Sequence, residues 1–209
     1  MILSLIILYV VTLIYLAITE RFRRYSLLIC MQGWILFVIA LFHLHTINIL
    51  DLLFVLAETI IFKAIIVPIM LMKIIRRTGI NRVHPRSIAI FNSLCASLIA
   101  LIVSLLITNA VPNEQINGAF FAVAIYSLLS GLMMIVFHKR IFSHLVGFLV
   151  IENGVFLFSI AVGVEMPILI NLAILLDILI SVLMLGIFIS RIGDQMHDLS
   201  SDSLTSIKD

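Results

Sequence analysis

Four ionisable side chains stand inside long apolar runs: Glu58, Lys63, Glu152 and Asp177. Charge is costly in hydrocarbon, so such residues mark ion or proton routes or functional ion pairs. Glu152 lies in GFLVIENGVFLF and is followed by Asn153. A lone glutamate at that depth takes up a proton rather than carry its charge. It is then a proton carrier or, on the plainer reading, a protonated donor to a facing carbonyl. Asp177 lies in NLAILLDILISVLMLG, with Asn171 about two turns before it. The two carboxylates fall on consecutive antiparallel segments, so they can face each other and share protonation.

Glu58 and Lys63 share the stretch AETIIFKAIIVP. Their spacing puts them about 140° apart around a helix, so they do not stack as an i,i+4 pair and each faces a different partner. For Lys63 two readings stand. It is a structural ion pair with a carboxylate on another helix, or a lysine whose charge is switched by desolvation and a neighbouring group. Pro68 has no backbone donor and leaves the Ala64 carbonyl without its helical partner. A kink or a water site is expected there, one turn from Lys63.

These residues need membrane helices to hold them. Of 209 residues, 63% are hydrophobic and 11% charged, with a mean hydropathy of +1.29. A soluble domain is about half apolar and about a quarter charged. Seven segments are long enough to cross the hydrocarbon, at roughly 1–19, 25–43, 50–72, 87–108, 117–137, 142–163 and 167–190. The runs are continuous, which excludes the short alternating strands of a barrel. The fold expected is an all-α polytopic transmembrane bundle.

Of the 13 Lys and Arg residues, all but Lys63 fall in alternate connections or the C-terminal tail. That alternation sets an N-out/C-in topology. It also makes the first segment an uncleaved span, because Arg21, Arg23 and Arg24 follow it rather than precede it. The chain divides into a four-helix front (1–111), a three-helix back (112–193) and a flexible cytoplasmic tail (194–209). In this frame Lys63, Glu152 and Asp177 lie about 12–21 Å from their cytoplasmic ends. They form a layer across the membrane, which suits lateral proton transfer between neighbouring subunits.

The net charge of +2 and pI near 8.7 do not indicate nucleic acid, because the basic residues sit in short loops that set topology. Cys30 and Cys95 lie inside spans without a CxxC spacing and read as small packing residues. His43 and His45, and His138 and His144, read as interfacial residues at span ends. No metal site, haem ligand pair or cofactor motif is evident, and no residue is assigned to catalysis. Gly33, Gly131, Gly147, Gly154 and Gly186 are expected to permit close helix approach.

With FKAIIVP (Phe62–Pro68), GFLVIENGVFLF (Gly147–Phe158) and PILINLAILLDILISVLMLGI (Pro167–Ile187), the chain resembles the E component of hydrogenase-4 and related formate hydrogenlyase complexes over essentially its whole length. Its last three helices resemble subunit K of respiratory complex I and the matching subunit of multisubunit cation/proton antiporters. Glu152 and Asp177 match the buried carboxylates on the last two spans of that subunit, although Asp177 stands where subunit K carries glutamate. The resemblance implies a non-catalytic subunit with no cofactor of its own, in a bacterial or archaeal cytoplasmic (inner) membrane. Its partners would be antiporter-like membrane subunits and a peripheral hydrogenase-like or other redox module. Glu152, Asp177, Lys63 and Glu58 would serve proton relay. A structural adaptor held by buried ion pairs is the alternative, as is a subunit of a cation/proton antiporter.

Overall fold

The computed structural model describes residues 2–19, 21–43, 58–78, 90–111, 116–138, 141–162 and 186. Among them the chain is helical and contains no strands. The helices are α1 (Ile2–Ile18), α2 (Phe22–His43), a π-helix π1 (Glu58–Ile66) that runs into α3 (Val67–Thr78), α4 (Ile90–Ala110), α5 (Gly118–Phe137) and α6 (Ile141–Val162). Among the described residues four stretches, Phe22–Phe42, Ile90–Ala110, Gly118–Phe137 and Phe142–Val162, are long and apolar enough to cross a membrane. Helix α1 is equally apolar but has 17 residues. The expected spans at 1–19, 25–43, 87–108, 117–137 and 142–163 thus appear as helices over their described residues. Of the span expected at 50–72, residues 58 onward are described. The one expected at 167–190 and the tail from 194 lie outside the described residues.

Two boundaries differ from the expectation for a physical reason. Helix α2 begins at Phe22, whose buried ring meets Phe142 edge-on at 4.6 Å and so ties the start of α2 to the start of α6. The third helix does not stop at residue 72 but continues to Thr78. Leu71 and Ile75 still face the interior there, and the cations Lys73 and Arg76 favour a helix C-terminus.

The break at Pro68 takes a specific form. The turns before it widen into the π-helix, and neighbouring side chains of α2 serve the carbonyls. The Cys30 thiol donates to the Ala64 carbonyl at 3.2 Å, and the Ser26 hydroxyl to the Pro68 carbonyl at 2.9 Å. The expected disruption is present, and protein groups contact the freed carbonyl. Cys30 therefore does more than pack.

Glycines let the helix backbones touch. A Cβ on Gly131 would lie 2.6 Å from the Gly147 carbonyl oxygen, and one on Gly147 would lie 2.8 Å from that of Gly131. A Cβ on Gly154 would come within 3.1 Å of the Ala124 carbonyl. Small residues at crossings are how membrane helices gain close packing without a hydrophobic drive between them. Helices α5 and α6 form the most intimate pair, while α1 and α2 pack beside them. Every helix carries exposed large apolar side chains, a surface suited to lipid.

Candidate functional site: a buried ion pair in a polar layer

At the centre of the bundle the Lys63 Nζ lies 2.6 Å from a Glu152 carboxylate oxygen. Lys63 is 7% exposed and Glu152 9%. The distance is that of a charge-assisted hydrogen bond. The ammonium also sits 4.7 Å from the centroid of the Phe156 ring, one turn beyond Glu152 on α6. An unpaired charge here would face a desolvation penalty of several kcal/mol, and the pair offsets it.

Local sequence explains how Lys63 reaches this position. It lies in π1, where the widened turns reposition side chains relative to α3. Gly33 on α2 makes room for it. A Cβ at residue 33 would be 2.9 Å from both the Ala64 nitrogen and the Lys63 carbonyl carbon. The backbone carrying Lys63 therefore lies directly against α2.

Next to Glu152, Asn153 turns about 100° around α6 toward α2. Its Nδ2 donates to Gln32 Oε1 at 3.2 Å, and Gln32 Nε2 donates to Thr12 Oγ1 at 3.1 Å. Thr12 in turn donates to the Tyr9 carbonyl at 2.6 Å. A parallel link joins the Tyr9 hydroxyl to Ser127 Oγ at 3.0 Å, and Ser127 Oγ to the Val150 carbonyl at 2.9 Å. Ser127 commits its only proton to that carbonyl, so Tyr9 is the donor in the first bond. Polar groups from α1, α2, π1, α5 and α6 thus form one layer around the ion pair.

Gln32, Thr12, Tyr9 and Ser127 were not among the residues expected from sequence. Replacing Gln32 with leucine removes the acceptor of Asn153 and the donor to Thr12. We expect a loss of about 1 kcal/mol in stability, read as a lower thermal midpoint in detergent, with the Lys63–Glu152 contact intact.

Of the residues expected to carry chemistry, Lys63 and Glu152 are brought into contact. Lys63 has a carboxylate from another helix beside it, an arrangement that both of its readings allow. Glu152 is not alone in the bundle, because a side chain from another helix, Lys63, reaches its carboxyl group. Glu58 begins π1, but its side chain lies outside the described residues, as does Asp177 entirely. The facing of Glu152 and Asp177 is therefore not described.

His138 lies at the end of a span, as expected, but it is packed inside the bundle and not open at the surface. It is buried at the end of α5, with Nδ1 2.9 Å from the Met134 carbonyl and its ring edge-on to Tyr25. His144 Nε2 bonds the His138 carbonyl. This contact ties the end of α5 to the first turn of α6. Comparison with protein-family models, with curated proteins and with solved structures finds no match to this chain.

Proposed function

We propose that the chain is a seven-span, N-out/C-in, non-catalytic subunit of a hydrogenase-4-like, complex I-related oxidoreductase, and that it contributes buried charge to proton translocation coupled to electron transfer. It resides in a bacterial or archaeal cytoplasmic membrane. Antiporter-like subunits flank it, and a peripheral hydrogenase-like redox module supplies the electrons. The observation that carries this reading is the Lys63–Glu152 contact inside a polar layer that crosses five helical segments. The resemblance of FKAIIVP and GFLVIENGVFLF to the hydrogenase-4 component supplies the host.

The arrangement suits a charge relay. In the closed pair the Lys63 Nζ lies 2.6 Å from the Glu152 carboxyl oxygen. When the ammonium is drawn away by a charge arriving on a neighbouring group, Glu152 is left as a buried carboxylate and takes up a proton. When the lysine returns, the carboxylate gives the proton up. Asp177, on the next span, is the neighbouring acceptor, and Glu58 adds a further carboxylate on the helix that carries Lys63. The pair thus couples charge movement in one subunit to proton occupancy in the next.

Two experiments test this. Gentle purification from native membranes should recover the chain with a nickel–iron hydrogenase module; recovery as an isolated monomer would remove the host assignment. Within the assembled complex, K63M/E152M, which leaves neither charge buried alone, should leave assembly and electron transfer in place and lower proton translocation at least about tenfold, in line with loss of a positioned proton-transfer group. Unchanged pumping would end the relay reading. The adaptor reading has its own support in the completeness of the pairing, with Lys63 contacted by both Glu152 and Phe156. On that reading K63M/E152M assembles and leaves pumping unchanged.

A further inference from the structure

Independently of that reading, α2 and the π1–α3 helix form a second surface that the ion pair does not use. Their contact line runs through Ser26, Cys30 and Gly33 on one side and Ala64 and Pro68 on the other. The residue after each contact position is rotated about 100° from it. On α2 these residues are Leu27, Met31 and Trp34, at 59%, 38% and 48% exposure. On the opposite helix they are Ile65 and Ile69, at 43% and 59%, and Met72 one turn further on is 43% exposed.

Antiparallel right-handed helices turn in opposite senses when seen from one end. One step forward from the contact line therefore leads to the same side of the pair on both helices. The two rows flank a single apolar groove, on the face away from Glu152.

Cations stand at one end of it. Arg23 lies one turn before Leu27, while Lys73 and Arg76 lie one turn beyond Ile69 and Met72, and all three are exposed. The Ser26–Pro68 bond fixes the register and brings these ends together. From Arg23 to Trp34 the groove runs about 16 Å, close to half of the roughly 30 Å hydrocarbon thickness. Its length matches one leaflet, and its charge matches a phosphate.

We propose that this groove binds an anionic phospholipid, with the headgroup phosphate on Arg23, Lys73 and Arg76 and an acyl chain along Leu27, Met31, Ile65 and Ile69 toward Trp34. An isolated phosphate would use the cations but not the apolar rows. A lipid uses both. Each basic residue near a membrane surface enriches anionic lipid by roughly fivefold.

The chain contains a single tryptophan, Trp34, and it lies at the deep end of the groove. The full chain is reconstituted in phosphatidylcholine nanodiscs with the same small fraction of either brominated phosphatidylglycerol or brominated phosphatidylcholine. Trp34 fluorescence should be quenched several-fold more by the anionic lipid, and R23Q/K73Q/R76Q should abolish the difference. If that variant does not fold, the wild-type comparison at high ionic strength replaces it, and the difference should shrink as the headgroup attraction is screened. Equal quenching by the two lipids in the wild type would overturn the site in favour of ordinary annular lipid. A difference that survives both the substitutions and salt would also overturn it. Absence of quenching by either lipid would mean that protein, not lipid, covers the groove.

Discussion

Replacing Lys63 with methionine should destabilise the protein by about 3–5 kcal/mol, because it leaves Glu152 buried without its countercharge. For a chain of this size that corresponds to a fall of roughly 6–20 °C in thermal midpoint. The double variant K63M/E152M should recover most of the loss, since two apolar chains carry no desolvation cost. Thermal unfolding of the two single variants and the double variant completes the cycle, and the coupling should be favourable by about 2 kcal/mol or more. If K63M proves neutral, Glu152 is held protonated and the ion pair does not operate. The double variant also separates the two functional readings. It should assemble in either case, but only the relay reading requires it to be inactive in proton translocation.

A second large effect is expected at the crossing of α5 and α6. Gly131→Leu places a Cβ 2.6 Å from the Gly147 carbonyl oxygen, and no rotamer change relieves a clash with backbone. The helices must separate, and the Ser127–Val150 bond at the same interface opens with them. Overpacking of this kind costs about 1–3 kcal/mol and occasionally more. Here the upper end is expected, visible as sharply reduced protein in the membrane. Gly118→Leu is the control. Its Cβ would meet only the Thr108 methyl at 3.6 Å, an ordinary contact, and the variant should accumulate normally.

The helices were legible because continuous apolar runs of membrane length leave the backbone few alternatives. Lys63 and Glu152 were legible for the opposite reason, as charges that such runs should exclude. Their mutual contact was not. Sequence gives the depth of a residue along its own helix, but not which of several non-consecutive helices it faces. Pro68 signalled a break in the third helix without specifying that the turns before it would widen into a π-helix or that Cys30 and Ser26 would serve its carbonyls.

The neutral members of the polar layer were harder to find. Serine and threonine in an apolar helix commonly bond their own preceding turn, as Ser104 does to Leu101 and Thr108 to Ser104. Thr12 and Ser127 look the same in sequence. Gln32 was the available signal, because a buried amide cannot satisfy both its donor and its acceptor on its own helix. The glycines were read correctly at Gly33, Gly131, Gly147 and Gly154, where the backbone contacts leave no space for a side chain.

Relay through this pair requires Glu152 to be an ionised partner of Lys63 that exchanges a proton when the pair opens. Infrared difference spectroscopy of the intact complex, recorded between rest and turnover, reads this directly. At rest the Glu152 side chain should contribute a carboxylate band, and turnover should convert it to a protonated carboxyl band that is missing in Glu152→Gln. A protonated carboxyl band from Glu152 at rest, or a carboxylate band that turnover leaves unchanged, would contradict it.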